Sequence, residues 1–214
     1  RAAQPAEPPV VPKTTFAQSD LGGAKALASN QGLDEDSSKL RGSQIHRLLE
    51  MLPHLPETDW TAQAPMILDH AGLTARPDHL ADLLQHAKRV LLAPELGFLF
   101  AKNTHAEVGI SAPIAELGGR TLNGIIDRLI ITDDSVLAVD FKTNASVPQD
   151  PHSTPLGLLR QMGAYAAALA LIYPDKPVKT AILWTATGTL MYLPQESVAQ
   201  ALTDTCLDLS SPAA

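Results

Sequence analysis

Between Gly124 and Thr143 the chain reads Gly-Ile-Ile-Asp-Arg-Leu-Ile-Ile-Thr-Asp-Asp-Ser-Val-Leu-Ala-Val-Asp-Phe-Lys-Thr. Two apolar, β-branched runs flank a polar Asp133-Asp134-Ser135 break, which is the pattern of a β-hairpin. With Asp133-Asp134 as the tight loop, Asp127 falls directly opposite Asp140. Directly opposed residues of an antiparallel pair point to the same face. Period-2 alternation adds Lys142 to that face and leaves Ile126, Ile130, Leu137, Val139 and Phe141 as a core set on the other. A slip of one residue would separate the two carboxylates, so the register decides what the hairpin can do.

Two carboxylates side by side on a mostly buried sheet are costly, because each raises the pKa of the other. A hard divalent cation removes that repulsion. Mg²⁺ prefers oxygen ligands and takes only one or two carboxylates, which leaves positions for water and a substrate phosphate. A lysine two residues beyond Asp140 can orient or deprotonate a water, or offset charge on a pentavalent phosphate. Asp-x-Lys taken alone also suits an ordinary hairpin with exposed acids and a surface lysine. The arrangement Gly-x-Ile-Asp-Arg, hairpin, Asp-Phe-Lys-Thr is what favours the metal-site reading.

At 214 residues the chain can bury one sizeable core. Its apolar content of 45% and charged content of 18% indicate a soluble globular protein. The longest apolar run, Ala164 to Tyr173, is too short to span a bilayer, so no membrane association is expected. Cys206 is the single cysteine. It rules out an intrachain disulfide, a four-cysteine zinc site and an iron–sulfur cluster held by this chain, and it fits a reducing cytoplasm. A net charge of −7 suits poorly a protein that must hold DNA unaided, since such affinity comes from Lys and Arg. The chain starts at Arg1 and contains no Gly-x4-Gly-Lys-[Ser/Thr] phosphate loop. It is therefore expected to be part of a longer polypeptide whose ATP-using portion lies outside it.

Residues 1–40, with Pro5, Pro8, Pro9 and Pro12 and then a Gly/Ala/Ser/Asp-rich stretch, read as a linker. The globular domain is expected over 41–209, followed by a short tail at 210–214. A helix is expected from an N-cap at Ser43 to the residue before Pro53, with Ile45, Leu48, Leu49 and Leu52 as its apolar stripe and His46 beside it. On spacing alone, a histidine so placed is either structural or a ligand. Residues 54–77 read as irregular around a short helix at 64–71. Asp78 to Leu92 reads as an amphipathic helix, with His79 and His86 on its polar side.

His105 to Ala112 reads as a first strand carrying Glu107, and Gly118-Gly119 as the turn into the second. The turn length is ambiguous, so Glu107 is not assigned to the face of Asp127. A proline-punctuated loop follows the hairpin. A helix then starts near Pro155, capped by Ser153 or Thr154, and runs to about Tyr173. On it Gln161 and Tyr165 are four apart and share a face. Val178 to Thr185 and Thr189 to Leu193 read as a hairpin about Thr187-Gly188, and 195–207 as a last helix. The order of elements gives an α/β sandwich around a mixed sheet, with a helical crossover that permits a parallel strand pair.

Gly42-x3-His46-x2-Leu49-Glu50, Gly124-Ile125-Ile126-Asp127-Arg128, Asp140-Phe141-Lys142-Thr143 and Gln161-x3-Tyr165 together resemble the RecB-type nuclease domain of the PD-(D/E)xK superfamily. Within it they are most similar to the C-terminal nuclease domains of the AddA-type subunits of bacterial AddAB helicase–nucleases. The resemblance covers residues 40 to 195 or so. It implies a restriction-endonuclease-like core and a Mg²⁺-dependent DNA exonuclease, Mn²⁺ being tolerated, that acts in double-strand-break repair and recombination. The implied metal ligands are His46, Asp127, Asp140 and the Phe141 carbonyl, with Glu107 as a further candidate. Lys142 would act on the attacking water. Arg128, Thr143, Gln161 and Tyr165 would support the site or contact DNA. The implied partners are single-stranded DNA, a helicase region of the same polypeptide that uses the ATP, and an AddB-like subunit, in the bacterial cytoplasm. The alternative is a catalytically silent domain that guides DNA or docks a partner. The presence of every acid and the lysine weighs against it.

Overall fold

The computed structural model describes residues 15–17, 21–22, 35–144 and 146–210. Among these, the hairpin of the opening motif forms as β3 (Arg120–Ile131) and β4 (Val136–Lys142), paired Arg128 to Val139 and Ile131 to Val136. That is the register expected from an Asp133-Asp134 loop. The turn is closed by the Thr132 N–H on the Ser135 carbonyl at 2.9 Å and by the Ser135 N–H on the Thr132 hydroxyl at 3.0 Å.

β2 (Thr104–Ile114) lies antiparallel to β3 along almost its whole length, joined to it through Gly118 and Gly119. Both glycines have positive φ, of 68° and 73°, which only glycine adopts freely. β5 (Val178–Trp184) runs parallel to β4, as a helical crossover allows, and β6 (Thr189–Leu193) closes that edge antiparallel to β5. A short β1 (Thr15–Ala17) pairs in parallel with Thr121–Asn123 of β3. Among the described residues the strands thus make one mixed six-stranded sheet.

Helices cover both faces. On one side α1 (Glu35–Met51), α2 (Trp60–His70) and α3 (Pro77–Leu91) pack on Ile130, Leu137, Val139, Phe141, Ala181 and Leu183. On the other, α4 (Leu156–Ile172) and α5 (Gln195–Ser210) pack on Leu122, Leu129, Val136, Ala138, Ile182 and Trp184. The anticipated stripe of α1, Ile45, Leu48, Leu49 and Leu52, is fully buried. Among the described residues no helix is long and apolar enough to cross a membrane.

Several local expectations are corrected. Part of the expected linker is structural: Phe16 of β1 and Leu21 are buried in the α4–α5 core, and the Arg120 guanidinium covers the Phe16 ring at 5.1 Å. Of residues 1–34, those other than 15–17 and 21–22 lie outside the described residues. α1 starts at Glu35, so Ser43 is not its N-cap but lies within it. α2 starts at Trp60, earlier than expected, because the buried Trp60 anchors its first turn, the indole N–H donating to the Leu55 carbonyl. Pro155 is itself the N-cap of α4, which receives no side-chain cap from Ser153 or Thr154. His79 is exposed as expected, whereas His86 is buried. Spaced three and four residues from Leu83 and Val90, it falls on the inward stripe of α3 rather than on the polar face. Its Nε2 lies 2.9 Å from the Thr185 hydroxyl.

Simple alternation also fails once, at Asp127. Leu122 and Ile126 face the α4–α5 core, as do Leu129 and Ile131, so the inward parity of β3 changes between Ile126 and Leu129. Ile126 therefore does not share the face of Ile130. The cause sits across the ladder. Glu107 has φ +50°, the one non-glycine residue with positive φ among those described, and neither Glu107 nor Asp127 joins the β2–β3 pairing that resumes on both sides.

Two stability predictions follow from this packing. A Cβ on Gly163 of α4 would lie 2.3 Å from the Val198 carbonyl oxygen of α5. Gly163→Ala, favourable in an open helix, should instead destabilise the protein by about 1–3 kcal/mol in urea denaturation. Burial, with Arg41 and Arg89 adding to it against Asp82, lowers the His86 pKa to about 4. The unfolded chain takes up this proton nearer 6.5, so the contribution is complete above that pH and is lost as pH falls toward 4. His86→Gln should flatten the stability profile between pH 6.5 and 5 by about 1–2 kcal/mol after solvent screening.

Candidate metal-dependent active site

β4 pairs with β3 only as far as Arg128, and β1 covers β3 only as far as Asn123. Residues 124–127 of β3 therefore border an opening in the sheet, and side chains supply the contacts that a ladder would have made. The Asp127 carboxylate accepts the Phe141 N–H at 2.5 Å. The Tyr165 hydroxyl donates to the Ile125 carbonyl at 2.7 Å. The strands part where the chemistry-bearing residues stand.

Asp127 Oδ1 lies 3.4 Å from His46 Nδ1, which α1 brings over the opening. The Phe141 ring meets the imidazole edge-on at 5.7 Å between centroids, which fixes its tilt. Glu107 reaches the same point from β2. One ligand-capable atom each from His46, Glu107 and Asp127 lie within 4.8 Å of one another. Imidazole nitrogen and carboxylate oxygen are the donors a divalent cation takes, and the left-handed backbone at Glu107 holds its side chain there. The donor set fits such an ion.

Asp140 stands beside this triad rather than in it. It is almost fully buried; its Oδ1 accepts from Gln161 Nε2 at 2.7 Å, and its Oδ2 is paired with the Lys142 ammonium. Gln161 Nε2 also lies 3.4 Å from the Tyr165 hydroxyl. The expected common face is thus divided. Asp140 is held from the α4 side, while Asp127, at the change of parity, reaches across to His46 on α1. Of Phe141, the group engaged with Asp127 is its N–H.

Of the residues expected to support the site or contact DNA, three are buried. Arg128 is buried, donates to the Leu49 carbonyl at 3.2 Å and stacks on Phe100 at 5.0 Å. Gln161 and Tyr165 are buried as well. None of the three is exposed to meet a duplex or a strand. Thr143 lies against α1, its hydroxyl 3.5 Å from where a Cβ on Gly42 would be.

Electrostatics link the groups. Burial opposes ionisation of Asp127, but His46, Lys142 and the Phe141 N–H outweigh it and hold the carboxylate below its usual range. Asp140 is raised by burial, with Asp127 adding to the shift and Lys142 opposing it. Glu107 is exposed at the surface, yet partial desolvation of its carboxylate and the charge of Asp127 raise it. Burial disfavours charge on His46, yet Asp127 and then Asp140 raise its pKa. A site that accumulates negative charge and tunes neighbouring acids apart is prepared for a cation.

The fold is of the α/β class, a mixed sheet between helical layers with acids and a lysine gathered at the end of its central hairpin. The family model of the PD-(D/E)XK nuclease superfamily matches residues 16–206, and the chain belongs to that superfamily. Its members generally use divalent metals. Curated proteins include no match. Among solved structures, the crystal structure of SSO0001 is similar at 14% identity and a TM-score of 0.37, over 94% of this chain and 78% of that one.

A cation bound only by the native state should raise the melting temperature. At ten times Kd the gain is about 1.4 kcal/mol, or roughly 3–6 °C for a domain of this size. Asp127→Ala should abolish the rise in thermal denaturation with millimolar Mn²⁺ or Mg²⁺, and a flat response of the wild-type protein would exclude the cation site.

Proposed function

We propose that this domain is a Mg²⁺-dependent deoxyribonuclease, Mn²⁺ being tolerated, that acts exonucleolytically on unwound DNA in a helicase–nuclease of the AddA type. The observation that carries the reading is the convergence of His46, Glu107 and Asp127 beside the Asp140–Lys142 pair. In it His46, Asp127 and Glu107 hold the cation, and Asp140 and the Phe141 carbonyl border it. When bound, the ion supplies Lewis-acid stabilisation of charge developing on the phosphate and makes water more acidic.

The chain's own residues do the rest. Lys142, held by Asp140, places a positive charge and a proton donor at Nζ beside the scissile phosphate and orients the attacking water. Gln161 keeps the Asp140 carboxylate turned toward Lys142, and Tyr165 keeps β3 from closing on β4. The acidic net charge of −7 supports a substrate that is delivered rather than captured. We assign delivery of single strands to a helicase region of the same polypeptide working with an AddB-like subunit. The setting is double-strand-break repair and recombination in the bacterial cytoplasm.

Asp140→Ala and Lys142→Ala should each lower Mg²⁺-dependent degradation of single-stranded DNA by at least ~10²-fold while the circular dichroism spectrum is retained. Near-normal activity in either variant would sink the assignment. An inactive wild-type protein that still binds the cation would point to a silent scaffold.

A further inference from the structure

Lys142 is the last residue of β4, and its partner Trp184 is the last of β5. Strand ends fray unless something holds them. Here the hold is a polar chain from α3. The Thr185 N–H donates to the Lys142 carbonyl at 2.8 Å, and the Thr185 hydroxyl lies 3.3 Å from the same oxygen as a second donor. That hydroxyl is 2.9 Å from His86 Nε2, and His86 Nδ1 is 3.5 Å from the Arg41 guanidinium. Arg89 clamps the next peptide, donating to the Ala186 carbonyl at 2.7 Å.

The donors and acceptors run in one direction. Arginine has no acceptor, so His86 Nδ1 must offer its lone pair, and the ring proton of the neutral imidazole sits on Nε2. Thr185 spends its single hydroxyl proton on the Lys142 carbonyl and so accepts from that Nε2–H. Arg41, itself paired with Asp82 at 2.8 Å, thereby selects the tautomer that Thr185 requires. Both His86 and Thr185 are buried. For stability alone an apolar pair of the same shape would serve about as well, since a hydrogen bond yields little net free energy over its solvated form.

We infer that His86 is a positioning residue for Lys142, its Nε2–H holding Thr185 so that two donors fix the lysine's carbonyl and aim its side chain at Asp140. The inference rests on the nuclease reading for its catalytic consequence, but the clamp itself can be measured without activity. His86 touches none of the residues assigned to the cation. It acts on one end of the site only.

The test uses His86→Leu, Thr185→Val and the double variant His86→Leu/Thr185→Val, which replaces the buried polar pair by an apolar one and guards against loss of fold. On single-stranded DNA with Mg²⁺, each should lower kcat roughly ten- to hundredfold with KM unchanged, the scale of a small misplacement of a reacting group. In a Lys142→Ala background they should cause no further loss, and the Mn²⁺-induced rise in melting temperature should persist in all of them. Equal losses in both backgrounds, undiminished kcat in the double variant, or loss of the Mn²⁺ response would overturn the inference. ¹⁵N NMR of the wild-type protein should show His86 neutral with its proton on Nε2 at pH 7. Exchange of the Thr185 amide should quicken at least about tenfold in His86→Leu, since the strand end would open more often. An Nδ1–H tautomer or unchanged exchange would overturn the clamp whether or not the domain cleaves DNA, so its failure and that of the nuclease reading can be told apart.

Discussion

The hydrogen bond from the Phe141 N–H to the Asp127 carboxylate organises this molecule. It stands where β3 and β4 separate, in place of the backbone bond that an uninterrupted ladder would make there. A side chain can be bonded into a strand end in this way only if the strands part, and parting leaves backbone groups that must be satisfied. Tyr165 takes up the Ile125 carbonyl. The site is an opening in a sheet whose margins have been stitched by side chains.

The opening lies between two helical layers, and each layer contributes different chemistry. α1 brings His46 to Asp127 from one side, with Phe141 against its ring. α4 brings Gln161 to Asp140 from the other. The change of inward parity at Asp127, opposite the left-handed Glu107, lets one β-hairpin serve both. A regular sheet would confine the carboxylates to one face and leave His46 on the wrong side of the backbone. The distortion is local because the register of β2 on β3 is the same before and after it.

Charge is arranged so that the metal-free site tolerates itself. Asp127 leans on His46, Asp140 on Lys142, and the buried Arg128 lies within the field of Glu107, Glu50 and Asp127. These pairings keep three acids close without forcing a large repulsion into the core. They also set the Lys142 ammonium against Asp140 and the His46 imidazole against Asp127.

The residues themselves determined a great deal. Alternating β-branched runs about Asp133-Asp134 set the hairpin register, because a two-residue loop leaves one pairing that keeps both apolar sets inside. The apolar stripe of α1, the crossover from β4 to a parallel β5 and the Gln161–Tyr165 pair were legible for the same reason: local periodicity reports which side of an element is buried. Tertiary structure decided what periodicity cannot express. It broke the alternation at Asp127, grouped Glu107 with His46 while leaving Asp140 with Lys142 and Gln161, and buried Arg128. His86 shows the limit best. Read from the sequence it fell on the polar side of α3; the fold buries it and supplies Thr185, just past β5, and Arg41 of α1 as the partners that make a buried imidazole tolerable. A side chain's face is a local property, whereas the partners that satisfy it come from distant parts of the chain, here 45 and 99 positions away.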